Sequence, residues 1–196
     1  PGETMSGASI HLVKGSDDSI RGDSVRALTD ELLGDLDATL ALDRLEGDEY
    51  ELRAAVDAAQ TAPFLTDRRV VVVRHLGRFG ADELAPLLQY LADPLPTTSL
   101  VLVWERGIDP KSPKLGPSTK LAKAVEAAGG EVHDTSVGTG KARQGWMDEQ
   151  WAASAVSPDK GARELVAAHL GDDVERLGAL IDTLEATYGP GAKLDR

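Results

Sequence analysis

Cysteine is absent from the 196 residues of the chain, and aromatic side chains make up only 4% of them. Without cysteine, the chain cannot form a disulfide scaffold or use a thiol nucleophile, and its composition fits a reducing, cytoplasmic location. With so few rings, the core has to be built from Ala, Leu and Val. No apolar run approaches the roughly 20 residues that a membrane span needs, and no secretion leader opens the chain, so we expect no membrane segment.

Positive charge is also scarce, because 21 Lys and Arg stand against 33 Asp and Glu and the formal net charge is −12. Proteins that hold nucleic acid by themselves usually present a basic face, since phosphate neutralisation supplies most of their affinity. The balance therefore argues against autonomous DNA or RNA binding. Inside a larger assembly, DNA contacts through Arg68, Arg69, Arg74 and Arg78 stay open, and the same arginines equally suit the neutralisation of nearby acids.

The first 140 residues alternate between apolar strand patterns and amphipathic helix patterns. Four consecutive valines, Val70–Val73, are flanked by charged residues and predict a strand buried on both faces, as in a parallel sheet. The predicted strands are Ile10–Val13, Thr39–Leu45, Arg69–Arg74, Ser99–Trp104 and Glu131–Asp134. The predicted helices begin after Asp17-Asp18, at Asp48, at Ala81 and at Ser118. Such alternation is typical of an α/β domain in which helices wrap a parallel sheet.

Beyond a glycine hinge at Gly138-Thr139-Gly140, the pattern predicts helices only. The first runs from about Lys141 to Ala155. The second begins at Ser157-Pro158 and buries Ala162, Leu165, Val166 and Leu170, and the third begins at Asp172, with Glu175 three residues on, as in a capping box. We therefore predict two domains, an α/β domain over 1–140 and a small all-helical lid domain over 141–196.

An α/β domain with a helical lid suggests a nucleotide-binding protein, but the phosphate-binding loop is degenerate. The loop would be Gly15–Gly22, where Arg21 and Gly22 replace the Lys-Ser/Thr pair that holds phosphate and Mg²⁺. Asp17 and Asp18 would repel a triphosphate, and helix capping explains them better. Arg74-His75 follows the third strand in place of the acidic pair that would hold a metal. We therefore predict no nucleotide cofactor and no metal.

Other catalytic constellations are missing as well. The four histidines, His11, His75, His133 and His169, lie far apart in sequence without metal-ligand spacing. Gly138–Lys141 resembles a nucleotide loop only in part and fits a hinge, and no nucleophile elbow occurs. We predict no catalytic residue. The enzyme alternative is a divergent nucleotide hydrolase that would use Lys14, Arg21 or Lys141 to bind phosphate.

The segment Pro63-Phe64-Leu65 stands out between a predicted helix and a buried strand, ringed by polar residues that include Thr61. Phe64 is one of only two Phe residues in the chain. An apolar pair at such a junction suits an anchor that enters a pocket on a partner. The alternative is that Phe64 or Leu65 plugs the edge of the sheet.

Taken together, Ile10–Asp18, the stretch Ala58–Val73 with its Pro-Phe-Leu-x-x-Arg-Arg-x-Val-x-Val segment, and Leu100–Glu105 resemble the delta subunit of bacterial DNA polymerase III. The resemblance implies an AAA+-like (P-loop NTPase-type) fold that neither binds nor hydrolyses ATP. It implies a clamp-loader subunit that grips the sliding clamp (the beta ring) and holds one interface open. The family's clamp contact maps onto Phe64 and Leu65, with Pro63 and Thr61 beside them.

The resemblance also implies partner subunits and a C-terminal collar domain that this chain lacks. In the full-length family, a C-terminal helical collar joins delta to the gamma/tau and delta prime subunits, and DNA is met only within that assembly. This chain stops at Arg196, so we expect an N-terminal two-domain fragment without the collar. The composition, rich in Ala, Arg and Asp, suggests an actinobacterial source. A further alternative is a scaffold module whose helical domain, with Trp146, Met147 and Trp151, is the partner surface.

Overall fold

The computed structural model describes residues 9–171, 173–174 and 176–195, and the chain divides into two compact units. The first unit ends at Thr135 and the second begins at Ser136, whereas the sequence pattern places the division at residue 140. The opening segment Pro1–Gly7, the predicted capping residues Asp172 and Glu175, and Arg196 lie outside the described residues.

The first unit is built on a five-stranded sheet in which every neighbouring pair is parallel. Its strands are β1 (Ile10–Lys14), β2 (Leu42–Leu45), β3 (Arg69–Val73), β4 (Thr98–Trp104) and β5 (Glu131–Asp134). Their spatial order is β2-β3-β4-β1-β5. Parallel neighbours require crossover connections, and the helices between the strands supply them.

Helices cover the sheet on both faces. They are α1 (Asp18–Leu33), α2 (Ala38–Ala41), α3 (Leu52–Gln60), α4 (Ala85–Leu91) and α5 (Thr119–Ala127). The apolar side of α1 packs on one face, and α3, α4 and α5 pack on the other. Each of Val70–Val73 is fully buried, with Val70 and Val72 in the core under α1 and Val71 and Val73 in the opposite core. The valine run is therefore buried on both faces, as predicted, because successive strand side chains point to opposite faces.

Two predicted element boundaries in this unit are wrong. The predicted strand Thr39–Leu45 is a helical turn over Ala38–Ala41 followed by a shorter strand, because the side chain of Asp37 accepts a hydrogen bond from the Thr39 N–H and nucleates the turn. Asp48 does not cap α3, which begins at Leu52. Its carboxylate instead accepts hydrogen bonds from the backbone N–H groups of Ile108 and Asp109.

Helix starts also differ from the sequence patterns. The helix predicted from Ala81 begins at Ala85 as α4, after a turn over 81–84. The predicted cap of α1 is confirmed, because Asp17 accepts a hydrogen bond from the Ile20 N–H at 2.8 Å. Local capping geometry, which the sequence patterns identify only within a few residues, decides these boundaries.

The second unit contains α6 (Lys141–Ala153), α7 (Lys160–Leu170) and α8 (Arg176–Tyr188), with a two-residue parallel pair of β6 (Ser157–Pro158) and β7 (Lys193–Leu194). Ser157-Pro158 therefore forms a strand rather than the start of a helix, and Asp159 caps α7 by accepting from the Ala162 N–H. Leu165 is 54% exposed instead of buried. Among the described residues, no helix is both long and apolar enough to cross a membrane.

Candidate functional site

Phe64 and Leu65 lie in the loop that joins the end of α3 to the start of β3. The Phe64 side chain is 92% exposed and that of Leu65 is 67% exposed, while Ala59 before the loop and Val70 after it are fully buried. The alternative in which this pair plugs the sheet edge is therefore wrong. Large apolar side chains this exposed are unfavourable in water unless a partner covers them.

Hydrogen bonds hold both ends of this loop. Thr61 ends the helix, and its hydroxyl donates to the Asp57 carbonyl at 2.7 Å. The Arg69 guanidinium donates to the carbonyls of Ala58 and Thr61 at 3.3 and 3.4 Å and pairs with Asp43 at 3.2 Å. Pro63 is half-buried. The apolar tip is thus mounted on a loop whose ends are tied to the helix and the sheet.

The degenerate phosphate loop lies at the carboxyl end of β1, beside the end of β4. The helix that follows β1 covers one face of the sheet and the helix that follows β4 covers the other, which makes this edge the switch point where α/β proteins bind ligands. A buried ion cluster, formed by Arg21, Arg74 and Glu105, lies there. Arg21 donates to Glu105 at 2.9 Å, to the Gly15 carbonyl at 2.8 Å and to Asp18 at 2.6 Å.

Glu105 is the centre of this ion cluster. Its side chain is nearly inaccessible, and Arg74 donates to both of its oxygens, at 2.7 and 2.9 Å. Burial by itself raises the pKa of Glu105, but the hydrogen bonds and charges of Arg74 and Arg21 outweigh burial, and its pKa lies below the ordinary value. The hydrogen bonds to Glu105 raise the pKa of Arg74. Both arginine charges are therefore committed to a protein carboxylate.

The two glycines of the loop have unlike surroundings. A Cβ on Gly15 would lie 2.1 Å from the Thr135 hydroxyl oxygen and 3.1 Å from the Thr135 carbonyl carbon. A Cβ on Gly22, inside α1, would have no neighbour within 4 Å. Close packing of β1 against the end of β5 thus explains Gly15 without any phosphate ligand.

We expect Gly15→Ala to destabilise the first unit by about 1–3 kcal/mol, because the new methyl group must displace Thr135. The matched control Gly22→Ala should be neutral or stabilising by up to about 1 kcal/mol, since alanine is the better helix former. Urea denaturation measures both effects. Thr135→Ala should recover part of the loss in the double variant, and equal destabilisation by the two glycine substitutions would contradict this packing role.

The cations named for the hydrolase alternative either pair with acids of the first unit or belong to the second unit. Lys14 pairs with Asp134 at 2.8 Å, Arg21 belongs to the ion cluster, and Lys141 lies exposed in the second unit. The arginines considered for DNA contacts also pair with local acids. Arg69 pairs with Asp43, Arg74 with Glu105 and Arg78 with Asp48, whereas Arg68 is exposed.

The three side chains named for the scaffold alternative do not form an exposed surface. Met147 and Trp151 are buried, and Trp146 is half-buried. These side chains therefore lack the exposure that the scaffold alternative requires. Two large apolar side chains of this unit are exposed, Leu165 on α7 at 54% and Tyr188 on α8 at 61%.

Two of the four histidines meet at one edge of the sheet, a contact that sequence spacing missed. His11 Nδ1 lies 3.0 Å from His133 Nε2, and Glu131 Oε2 lies 3.8 Å from the same His133 nitrogen. Burial lowers the pKa of His11, and the charge of His133 lowers it further. His11, Glu131 and His133 are the described residues whose ligand atoms converge closely enough to hold a metal ion. No sequence signal brings them together, because 122 positions separate the two histidines.

Comparison with known proteins gives consistent results. The family model described as DNA polymerase III, delta subunit, matches residues 11–128. The solved Bacillus subtilis DNA clamp loader delta protein matches with a TM-score of 0.68 and 17% identity, over 96% of this chain and 56% of that chain. A DNA polymerase III gamma subunit-related protein from Thermotoga maritima matches with a TM-score of 0.44 and 22% identity, over 76% of this chain and 48% of that chain. No curated protein matches.

The first structural match speaks to the fold, and the second is too weak to carry an argument. The match to the Bacillus subtilis delta protein confirms the predicted α/β fold with a parallel sheet wrapped by helices, and the present chain spans 56% of that protein's length. The family match covers more than half of the 196 residues and includes both the Phe64 loop and the ion cluster. The chain therefore belongs to the DNA polymerase III delta subunit family.

Proposed function

We propose that this chain is the clamp-binding part of a clamp-loader subunit, which grips the sliding clamp and helps to open it during DNA replication in the cytoplasm. The Phe64 loop is the contact, with Pro63 and Thr61 supporting the apolar tip. In the full-length protein, the partners are the gamma/tau and delta prime subunits, and the protein contacts DNA only within that assembly. The first unit carries the contact, and the second serves as the small lid domain.

The exposure of Phe64 is the observation that carries the proposal. A tip already exposed in the free chain, on a loop tied at both ends, needs little ordering when it enters an apolar pocket. Full burial of a Phe and a Leu contributes roughly 3–5 kcal/mol by area, which is enough to dominate a small interface. Family membership supports the same conclusion, because the apolar pair lies within the matched residues.

Opening the ring places a further demand on this contact. A ligand shifts an equilibrium only by its difference in affinity for the two states. The chain must therefore bind an open or strained ring more tightly than a closed one. The Phe64 loop supplies the contact through which this difference in affinity acts.

We also propose that the subunit works without hydrolysing ATP. The ion cluster lies where the phosphates would be bound, and Arg21 already donates to Glu105, Asp18 and the Gly15 carbonyl. A triphosphate would have to break a buried ion pair and approach two carboxylates, which is costly. The divergent-hydrolase alternative therefore has no cation in this loop that is ready to bind phosphate.

Two titrations test the proposed function. We expect the chain to bind a purified sliding clamp from the same organism with micromolar or tighter affinity in surface plasmon resonance. A clamp variant with a weakened ring interface should bind more tightly than the closed ring. A fluorescent ATP analogue with Mg²⁺ should not bind at micromolar concentrations. Absence of clamp binding, or saturable nucleotide binding, would contradict the proposal.

The scaffold alternative has one observation in its favour. Leu165 on α7 is 54% exposed, so the second unit also presents an apolar side chain to solvent. A single leucine buries less area than the Phe64 tip and contributes less to binding. If the helical unit were the partner surface, Leu165→Ala would weaken clamp binding more than substitutions at Phe64 and Leu65.

A further inference from the structure

We propose that His11, Glu131 and His133 form a zinc-binding site at the β5 edge of the sheet. The site is independent of the proposed clamp contact, because the Phe64 loop precedes β3, which is three strands away from β5. The ligand set is two imidazole nitrogens and one carboxylate oxygen. Such N and O donors suit Zn²⁺, which commonly takes three protein ligands and leaves a fourth position for water.

The backbone brings the three side chains together. In the parallel pairing of β1 with β5, His11 is registered with Glu131 and Val13 with His133. Alternate residues of a strand point to the same face of the sheet, so Glu131 and His133 share a face. His11, which is registered with Glu131, lies on that same face. Val13 belongs to the core under α1, which identifies this face as the one that α1 covers. The ligands are therefore positioned by a strand ladder rather than by flexible loops.

The distances between the three ligand atoms are close to those around a bound zinc ion. The three ligand atoms all lie within 4.8 Å of one another. His11 Nδ1 and His133 Nε2 are 3.0 Å apart. Two nitrogens bound tetrahedrally to zinc, each at about 2.0–2.1 Å, are separated by about 3.3 Å. Admitting the ion thus requires the two nitrogens to part by a few tenths of an ångström and the exposed Glu131 carboxylate, whose Oε2 lies 3.8 Å from His133 Nε2, to move closer.

The surroundings support the bound state. Ser9 Oγ lies 2.5 Å from His11 Nε2, so the outer ring nitrogen already has a hydrogen-bond partner and the inner nitrogen faces His133. Metal-binding histidines typically have such a partner, which fixes the tautomer and the ring orientation. Glu31 on α1 adds a second negative charge that acts on His11. The charge of nearby Lys14 is paired with Asp134, so it opposes a cation less.

Zinc bound here would join the first strand of the sheet to its last. The two histidines are 122 positions apart in the chain, and β5 is held along one side by β1. A ligand that binds only the folded state stabilises it by mass action. At a free zinc concentration about 100 times Kd, we expect the melting temperature to rise by roughly 5–10 °C.

Zinc titration of the tag-free chain, first treated with a chelator, tests the site. Isothermal titration calorimetry should give one zinc per chain. His133→Ala and Glu131→Gln should each weaken binding at least tenfold, and Ser9→Ala should weaken it by about tenfold through loss of the outer hydrogen bond. The matched control His169→Ala removes an exposed histidine on α7 and should leave the affinity unchanged.

An NMR readout on the unmodified chain keeps the test decisive if a variant fails to fold. Zinc should shift the imidazole nitrogen signals of His11 Nδ1 and His133 Nε2, and leave those of His75 and His169 unchanged. Saturable binding with these shifts supports the site. No binding at 100 µM zinc, signals that do not move, or equal loss in the His169→Ala control would overturn it.

Discussion

Replacing Phe64 and Leu65 together by alanine is expected to weaken binding of the chain to the sliding clamp by at least about 100-fold. The two side chains contribute roughly 3–5 kcal/mol when a partner buries them, and each 1.4 kcal/mol corresponds to tenfold in affinity. Because both are exposed in the free chain, their removal should change the free energy of unfolding by no more than about 0.5 kcal/mol. Surface plasmon resonance measures the affinity, and urea denaturation measures the stability.

A matched control separates this contact from general loss of apolar surface. Leu165→Ala removes another exposed leucine, located in the second unit, and should leave clamp affinity within about twofold. The single variants show how much each side chain contributes to clamp affinity. Phe64→Ala should weaken binding more than Leu65→Ala because the ring buries more area. Retained clamp binding in the double variant would refute the assignment of this loop. Loss of binding only in Leu165→Ala would favour the helical unit instead.

Glu105→Ala is expected to destabilise the first unit by about 3–5 kcal/mol. The substitution leaves the buried Arg21 guanidinium without its main counter-ion, and removal of one partner from a buried pair costs far more than the intact pair contributes. Asp18→Ala is the matched control, because Asp18 pairs with the same guanidinium but its side chain is 91% exposed. An exposed pair is worth about 1 kcal/mol or less. Thermal and urea denaturation, followed by circular dichroism, measure both variants.

The pH dependence of stability provides a second measurement of Glu105. Its pKa in the folded chain lies below the ordinary value of 4.5, so the unfolded chain binds a proton more readily. The stabilisation by Glu105 is therefore fully present above pH 4.5 and is lost as the pH falls through the folded pKa. The difference in free energy of unfolding between the wild type and Glu105→Gln should shrink with acidification below pH 4.5. A difference that stays constant would show that charge plays no part.

The ion cluster and the Phe64 loop point to a common functional design. The switch point of the sheet, where α/β proteins bind ligands, contains the ion pairs of Arg21 and Arg74 with Glu105, and we propose above that no nucleotide is hydrolysed there. The same sheet holds an apolar tip at the start of β3. A fold of this kind can act through binding energy alone, provided that its affinity differs between the open and closed states of the partner.

Several features were readable from the sequence because they depend on neighbouring residues. The valine run Val70–Val73 predicted a strand buried on both faces, and the structure agrees. Arg21 and Gly22, which occupy the positions of the Lys-Ser/Thr pair, excluded the usual phosphate loop from the sequence alone. Errors arose at element ends such as Ser157-Pro158, where a short strand pairing with Lys193–Leu194 overrides the helix-start signal. Leu165 was also placed wrongly, because an apolar periodicity does not say which helix faces find a neighbour.

The sequence by itself determined the alternation of strands and helices, the loss of the phosphate-binding residues and the position of an apolar pair before the third strand. Only the tertiary structure decided that Phe64 is exposed, that Arg21 pairs with Glu105 and that His11 meets His133. The reason is that periodicity and motifs are local, whereas exposure and pairing depend on strand order and crossovers. Strand order and crossovers bring together residues that are 84 and 122 positions apart in the chain. No pattern in a single sequence indicates contact across such a separation.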